Sequence, residues 1–192
     1  MRKLFLSLLM VFSAAGAHAD IISADFKTAS DLPYCCSRSG PVTQQAIGKT
    51  VGAGFEIDGS TPVSNPSGWG GGIVHVDLDP VTGLLILASQ DTWDFETFVL
   101  TIDDIHFDAG QRLNGLSYIS GQLTDINLVP ELTFTSNSLR IAYDNHSTFH
   151  FSGGKATFQL DVGSAAEVPE PATVSLFGLA FLGFVLARRR KA

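Results

Sequence analysis

Phe95-Glu-Thr-Phe-Val-Leu-Thr-Ile-Asp-Asp-Ile-His-Phe107 decides the fold. Phe98, Leu100 and Ile102 fall on one face, and Val99, Thr101 and Asp103 on the other. That period-two alternation is the pattern of a half-buried β-strand. Asp103-Asp104 interrupts it as a bulge or a corner, after which Ile105 and Phe107 resume it.

The segments on either side read the same way. Upstream, Ile21, Ile22 and Phe26 suggest a first strand, and Thr50 to Ile57 has a strand pattern with small residues. The rest of Asp31 to Pro66 is loop-rich, and Pro62 to Gly72 is a Pro/Gly/Ser/Asn loop around Trp69. Gly72 to Leu78 alternates, with Val74, Val76 and Leu78 on its apolar face. Asp79-Pro80 turns into the apolar strand Leu84 to Ala88. Downstream strands are expected at Leu113–Ile119, Leu123–Val129, Leu132–Thr135, Leu139–Tyr143, Thr148–Phe151 and Ala156–Val162. The expected turns are Asn114-Gly115, Ser136-Asn137, Asp144-Asn145 and Gly153-Gly154. Many short strands at such spacing predict an all-β fold, an antiparallel β-sandwich of jelly-roll-like kind. The 14 Phe residues suit its pleated core.

The two ends differ in kind from this domain. Met1 to Ala19 reads as a secretory signal peptide. Arg2 and Lys3 carry its positive charge, an apolar core starts at Leu4, and Ala17-His-Ala19 is the cleavage site, leaving Asp20 as the mature start. Residues 20–167 then form one exported domain. Six of the 12 basic residues and one of the 19 acids lie in the two ends, so the domain holds 6 basic and 18 acidic residues, a formal charge of −12. Such a balance argues against a nucleic-acid partner, because phosphate binding needs basic surface.

Residues 168–192 have three parts. Val168-Pro169-Glu170-Pro171 is a proline-flanked acidic motif, Ala172 to Ala187 is an uncharged apolar run, and Arg188, Arg189, Arg190 and Lys191 form a basic stop. As a helix the 16-residue run would reach about 24 Å at about 1.5 Å per residue, short for a bilayer core of about 30 Å. The basic stop places the tail's end in the cytoplasm and the domain outside it. In these features the tail resembles the PEP-CTERM sorting signal of Gram-negative bacteria. The middle of the chain is similar, more loosely, to the exported domain of many such proteins, at Asp31-Leu-Pro-Tyr-Cys-Cys36, at Thr50 to Glu56 and in the closing strands to Val162. The resemblance implies recognition of Pro169, Glu170 and Pro171 by exosortase, a membrane-embedded transpeptidase-like enzyme. It further implies passage through the secretion machinery, a transmembrane hold on the inner membrane, and a periplasmic, then cell-surface or extracellular location. A role beside exopolysaccharide in a biofilm is the family-level expectation.

Chemistry-bearing residues are few. Cys35 and Cys36 are adjacent, and export favours oxidation. A vicinal disulfide in a tight turn, bridges to another chain and a free pair all remain open, since neighbouring Cα atoms are about 3.8 Å apart and ordinary disulfides need about 4.4 Å or more. Carboxylates are dense at Asp77/Asp79, Asp91/Asp94/Glu96 and Asp103/Asp104/Asp108. Asp91, Asp94, Asp103 and Asp104 are the candidate calcium ligands, against the plainer reading of a solvated acidic rim. No cofactor or other metal is expected. His75-x-Asp77 and His106-x-Asp108 follow from strand alternation, and no nucleophile motif accompanies them. His146 and His150 are four apart in a turn-and-strand region, where that spacing does not aim them together. Trp69 and Trp93 sit in polar settings, either plugging the core's ends or stacking on sugar rings. The expectation is a non-enzymatic exported protein. The alternatives are a carbohydrate-binding module built on Trp69 and Trp93, and a jelly-roll glycan hydrolase, which needs two carboxylates at a working separation.

Overall fold

The computed structural model describes residues 20–31, 40–66, 68, 71–92, 94–108 and 110–164, with side chains at all of these but 94 and 145–148. The segments expected to be signal peptide and sorting tail, together with Cys35, Cys36, Trp69 and Trp93, lie outside the described residues.

Among the described residues, ten strands form two antiparallel sheets. They are β1 (Ile21–Asp31), β2 (Val42–Thr50), β3 (Val63–Ser64), β4 (Val74–Leu78), β5 (Leu84–Ser89), β6 (Asp94–Phe107), β7 (Gln111–Gly121), β8 (Glu131–Phe134), β9 (Leu139–His150) and β10 (Lys155–Ser164). The first sheet runs β3-β2-β1-β6-β9-β8 and the second β4-β5-β10-β7. One buried cluster joins Phe26, Phe98, Leu100 and Ile141 of the first sheet to Val74, Val76, Leu85, Leu87 and Phe158 of the second. This is the layout of a two-sheet sandwich.

β6 is the central strand of the larger sheet, held by β1 on one side and β9 on the other. Phe98, Leu100 and Ile102 face the core, as their alternation predicts. Between Asp103 and His106 the register with β1 shifts, because three steps on β6 oppose two on β1. Asp104 takes the left-handed conformation there, at φ 49°. The extra residue reverses the parity of the strand, so that Ile105 turns inward and is buried. Phe95 is buried as well, beside a second irregularity opposite residues 145–148 of β9. Phe151 closes this corner, with its ring 4.8 Å from Phe95, 5.6 Å from Phe98 and 6.0 Å from Phe149.

Four expectations are corrected. Thr50 to Ile57 is not a strand; the strand is Val42–Thr50, which pairs along β1. Gly52 and Gly54 (φ 103°) let the chain leave the sheet after Val51. It then crosses to the second sheet, where Ile57 bridges Val76 on the outer edge of β4. Leu123–Val129 is not a strand either, beyond a single bridge from Thr124 to Phe151. There the Thr124 hydroxyl donates to the Ile126 carbonyl at 2.5 Å, a local bond that competes with ladder pairing. Asn114-Gly115 lies inside β7, with Gly115 opposite Asp161, instead of forming a turn. Asp144-Asn145 likewise lies inside the single strand β9.

The strands share two ends. At one end Asp108 donates its amide to the Asp20 carbonyl at 3.0 Å, Ile21 donates to Pro80 at 3.1 Å, and Ile105 donates to Asn137 at 2.9 Å. Ser164, the last residue of β10, sits opposite Gln111 at this same end. At the other end Ser89 donates to Gly154 at 3.1 Å, Gln90 to Ile73 at 3.0 Å and Gln122 to Lys155 at 2.8 Å.

The core face of β1 and β2 is not wholly apolar. Thr28 and Gln44 are cross-strand partners and both are buried. Gln44 donates to the Asp58 carbonyl at 3.2 Å. The Thr28 hydroxyl and the Gln44 side-chain carbonyl find no hydrogen-bond partner among the described residues.

Candidate functional site

The crossing segment 51–57 and the β4–β5 hairpin enclose a cleft of about 410 Å³. One wall is Gly52, Ala53 and Gly54; the other is Asp77, Asp79, Pro80, Val81, Leu84 and Ile86. Asp79 shapes the hairpin. Its Oδ1 accepts the amides of Val81 and Thr82, both at 2.9 Å, and its main-chain carbonyl accepts the Gly83 amide at 3.0 Å. The Thr82 and Val81 amides stabilise the carboxylate and hold it below the usual range.

Glu56 stands behind this cleft. Only 3% of it is exposed. Its Oε2 accepts the Leu78 amide at 2.8 Å and its Oε1 accepts the Gly52 amide at 3.4 Å. One carboxyl group thus ties the start of the crossing segment to the end of β4. Burial pushes it up to about 7; the amide hydrogen bonds oppose that shift and the nearby Asp77 carboxylate adds to it. Its oxygens are turned to backbone donors, and Glu56 is not one of the residues lining the cleft. The cleft wall therefore offers Asp77 and Asp79, two carboxylates able to accept hydrogen bonds from hydroxyl groups, with no aromatic ring among the described lining residues. Nothing in the local pattern Gly-Phe-Glu-Ile marks Glu56 as buried.

The other singled-out residues are dispersed. Asp103 and Asp104 lie near one end of β6 and Asp94 begins the other, nine positions away from Asp103, about 30 Å along a strand. Asp91, three residues before Asp94 in sequence, accepts the Ile73 amide at 3.1 Å. The four expected calcium ligands therefore do not converge, and no group of three or more metal-ligating residues occurs among the described residues.

His75 lies tilted against Phe55, with ring centroids 4.9 Å apart and the planes at 54°. Asp58 nearby is held below the usual carboxylate range by the Ser60 hydroxyl and amide, with a smaller contribution from His75. His106 contacts Asp104 at 3.2 Å on the surface. His150 pairs with Asp125, which accepts its main-chain amide at 2.9 Å and lies 3.0 Å from its Nδ1. Partial burial pushes the Asp125 carboxyl up, but the His150 amide and ring more than offset this and hold it low. Residues 25 apart in sequence carry no local signal of such a pair.

The comparisons with known proteins concern the tail. A model of the PEP-CTERM protein-sorting motif matches residues 167–191. No curated protein and no solved structure matches the chain.

Proposed function

We propose that the chain is an exported, non-enzymatic β-domain, sorted by an exosortase system to the cell surface or extracellular matrix, where it serves beside exopolysaccharide. The sorting motif at 167–191 carries this reading. Residues 1–19 direct export and are removed after Ala19. Ala172 to Ala187 holds the precursor in the inner membrane, with Arg188 to Lys191 on the cytoplasmic side. Pro169, Glu170 and Pro171 are read by exosortase. The non-enzymatic reading is supported by Glu56, whose two carboxyl oxygens accept backbone amides.

The test is expression of the full chain in strains with and without the sorting enzyme, with the mature C-terminus read by mass spectrometry. The expected result is a terminus within or near residues 168–171 only when the enzyme is present, lost in Glu170→Ala. An intact tail in both strains overturns the reading.

A second reading is a carbohydrate-binding module, supported by the paired carboxylates of Asp77 and Asp79 in the cleft wall. Trp69 and Trp93, its original basis, lie outside the described residues. Glycan-array binding by the secreted protein, lost in Asp77→Asn, supports it; no binding removes it.

A further inference from the structure

The position of the last strand fixes more than the route. β10 stays paired to β7 to its final residue, with Val162, Gly163 and Ser164 opposite Leu113, Arg112 and Gln111. Ser164 also shares its end of the sandwich with Asp20, because Gln111 donates to Asp108 at 3.2 Å and Asp108 to Asp20 at 3.0 Å. Both boundaries of the exported domain thus lie at the end formed by the 79–83, 108–110 and 135–138 turns.

The sorting motif follows at once. Ala172, where the membrane-held run begins, is eight residues beyond Ser164, a reach of at most about 28 Å. β6, with 14 residues, runs about 45 Å. A tether that short beside a body that long does not let the domain turn end over end. We infer that, while the tail is held in the membrane, the sandwich end bearing Asp20, Asn137 and Ser164 faces the bilayer surface, and the end bearing the 89–94, 121–125 and 151–155 connections points away from it. This rests on the membrane-held tail of the proposed function.

The tether keeps the domain close, and charge keeps it upright. The near end exposes Asp20, Asp79, Asp104 and Asp108 against Lys49 and Arg112. The exported domain as a whole, 6 basic and 18 acidic residues, is repelled by anionic headgroups. Lying on one face would bring more of that acidic surface to the lipid than standing on one end.

The experiment uses the full chain in liposomes of phosphatidylethanolamine and phosphatidylglycerol that carry headgroup-quencher lipids. A fluorescent amino acid is placed at 137 in one preparation and at 92 in the other, both exposed positions. The expected result is several-fold stronger quenching at 137 than at 92. A flexible spacer of about 30 residues, about 30 Å in mean reach, inserted after Glu167 should equalise the two. Equal quenching without the spacer means a domain lying on its side, and stronger quenching at 92 means an inverted one; either overturns the inference. A difference that survives the spacer overturns the tether as its cause. Failure of the chain to float with the liposomes defeats the membrane-held precursor itself, and is seen separately from quenching.

Discussion

Glu56 and Leu78 are joined by a 2.8 Å hydrogen bond from a main-chain amide to a buried carboxyl oxygen, across 22 residues of sequence. The bond holds the segment that crosses between the sheets against the end of β4. It also places a titrating group where water is scarce. Burial raises the folded-state value to about 7 from the ordinary glutamate value of 4.5, so between those limits the folded protein binds more protons than the unfolded chain. Stability from this group is therefore full below about pH 4.5 and falls as pH rises through 7, by on the order of 3 kcal/mol. Glu56→Gln should flatten the stability curve between pH 5 and 8, measured by urea unfolding. A variant that follows the wild-type slope across that window assigns the slope to other groups.

Thr28 carries a second cost. Its hydroxyl is buried on the core face with no partner among the described residues. Thr28→Val keeps the shape and removes the polar atom, and should stabilise the fold by about 1–2 kcal/mol. A loss of stability in thermal and urea unfolding would show that the hydroxyl is satisfied in solution.

Phe151 sits where three phenylalanine rings meet: Phe95, Phe98 and Phe149. Truncation to alanine removes a whole ring from the core corner and should cost about 3–5 kcal/mol. Phe55, on the surface against His75, serves as the control, and its alanine variant should stay within about 1 kcal/mol of wild type. Comparable losses for the two would contradict the packing described.

Asp104 holds a left-handed backbone at φ 49° inside the central strand. A β-branched residue is strained there, so Asp104→Val should destabilise by about 1–3 kcal/mol. Asp104→Gly, free of that strain, should be neutral or better. Equal effects of the two would mean that the bulge relaxes without its left-handed residue.

The legible part of this fold was its alternation. Phe98, Leu100 and Ile102 gave the central strand directly, and Val74, Val76 and Leu78 gave the inner face of β4, because a strand with one buried face repeats every two residues. The Asp103-Asp104 interruption was legible for the same reason. What alternation misses is pairing. Val42–Thr50 has a polar, small-residue sequence and becomes a strand because β1 lies beside it, whereas the strand-like Thr50–Ile57 becomes a crossing because two glycines release it. Leu123–Val129 failed in the same way, with a threonine hydroxyl and an aspartate making local and long-range bonds in place of a ladder. In the candidate site, Asp77 and Asp79 were visible as acids near a turn. Glu56 was not, since its role depends on the Gly52 and Leu78 amides, which only the folded chain brings to it.

The Ile57–Val76 bridge has a consequence for assembly. Val76 gives its amide to Ile57 at 2.9 Å, while its carbonyl accepts Glu56 at 2.8 Å. The middle of β4 therefore has no main-chain groups to lend to a neighbouring molecule on that flank. A crowded matrix invites strand-by-strand growth of exposed sheets into filaments; here such growth is blocked at the β4 border of the smaller sheet, and lateral contacts between copies must be made by side chains there.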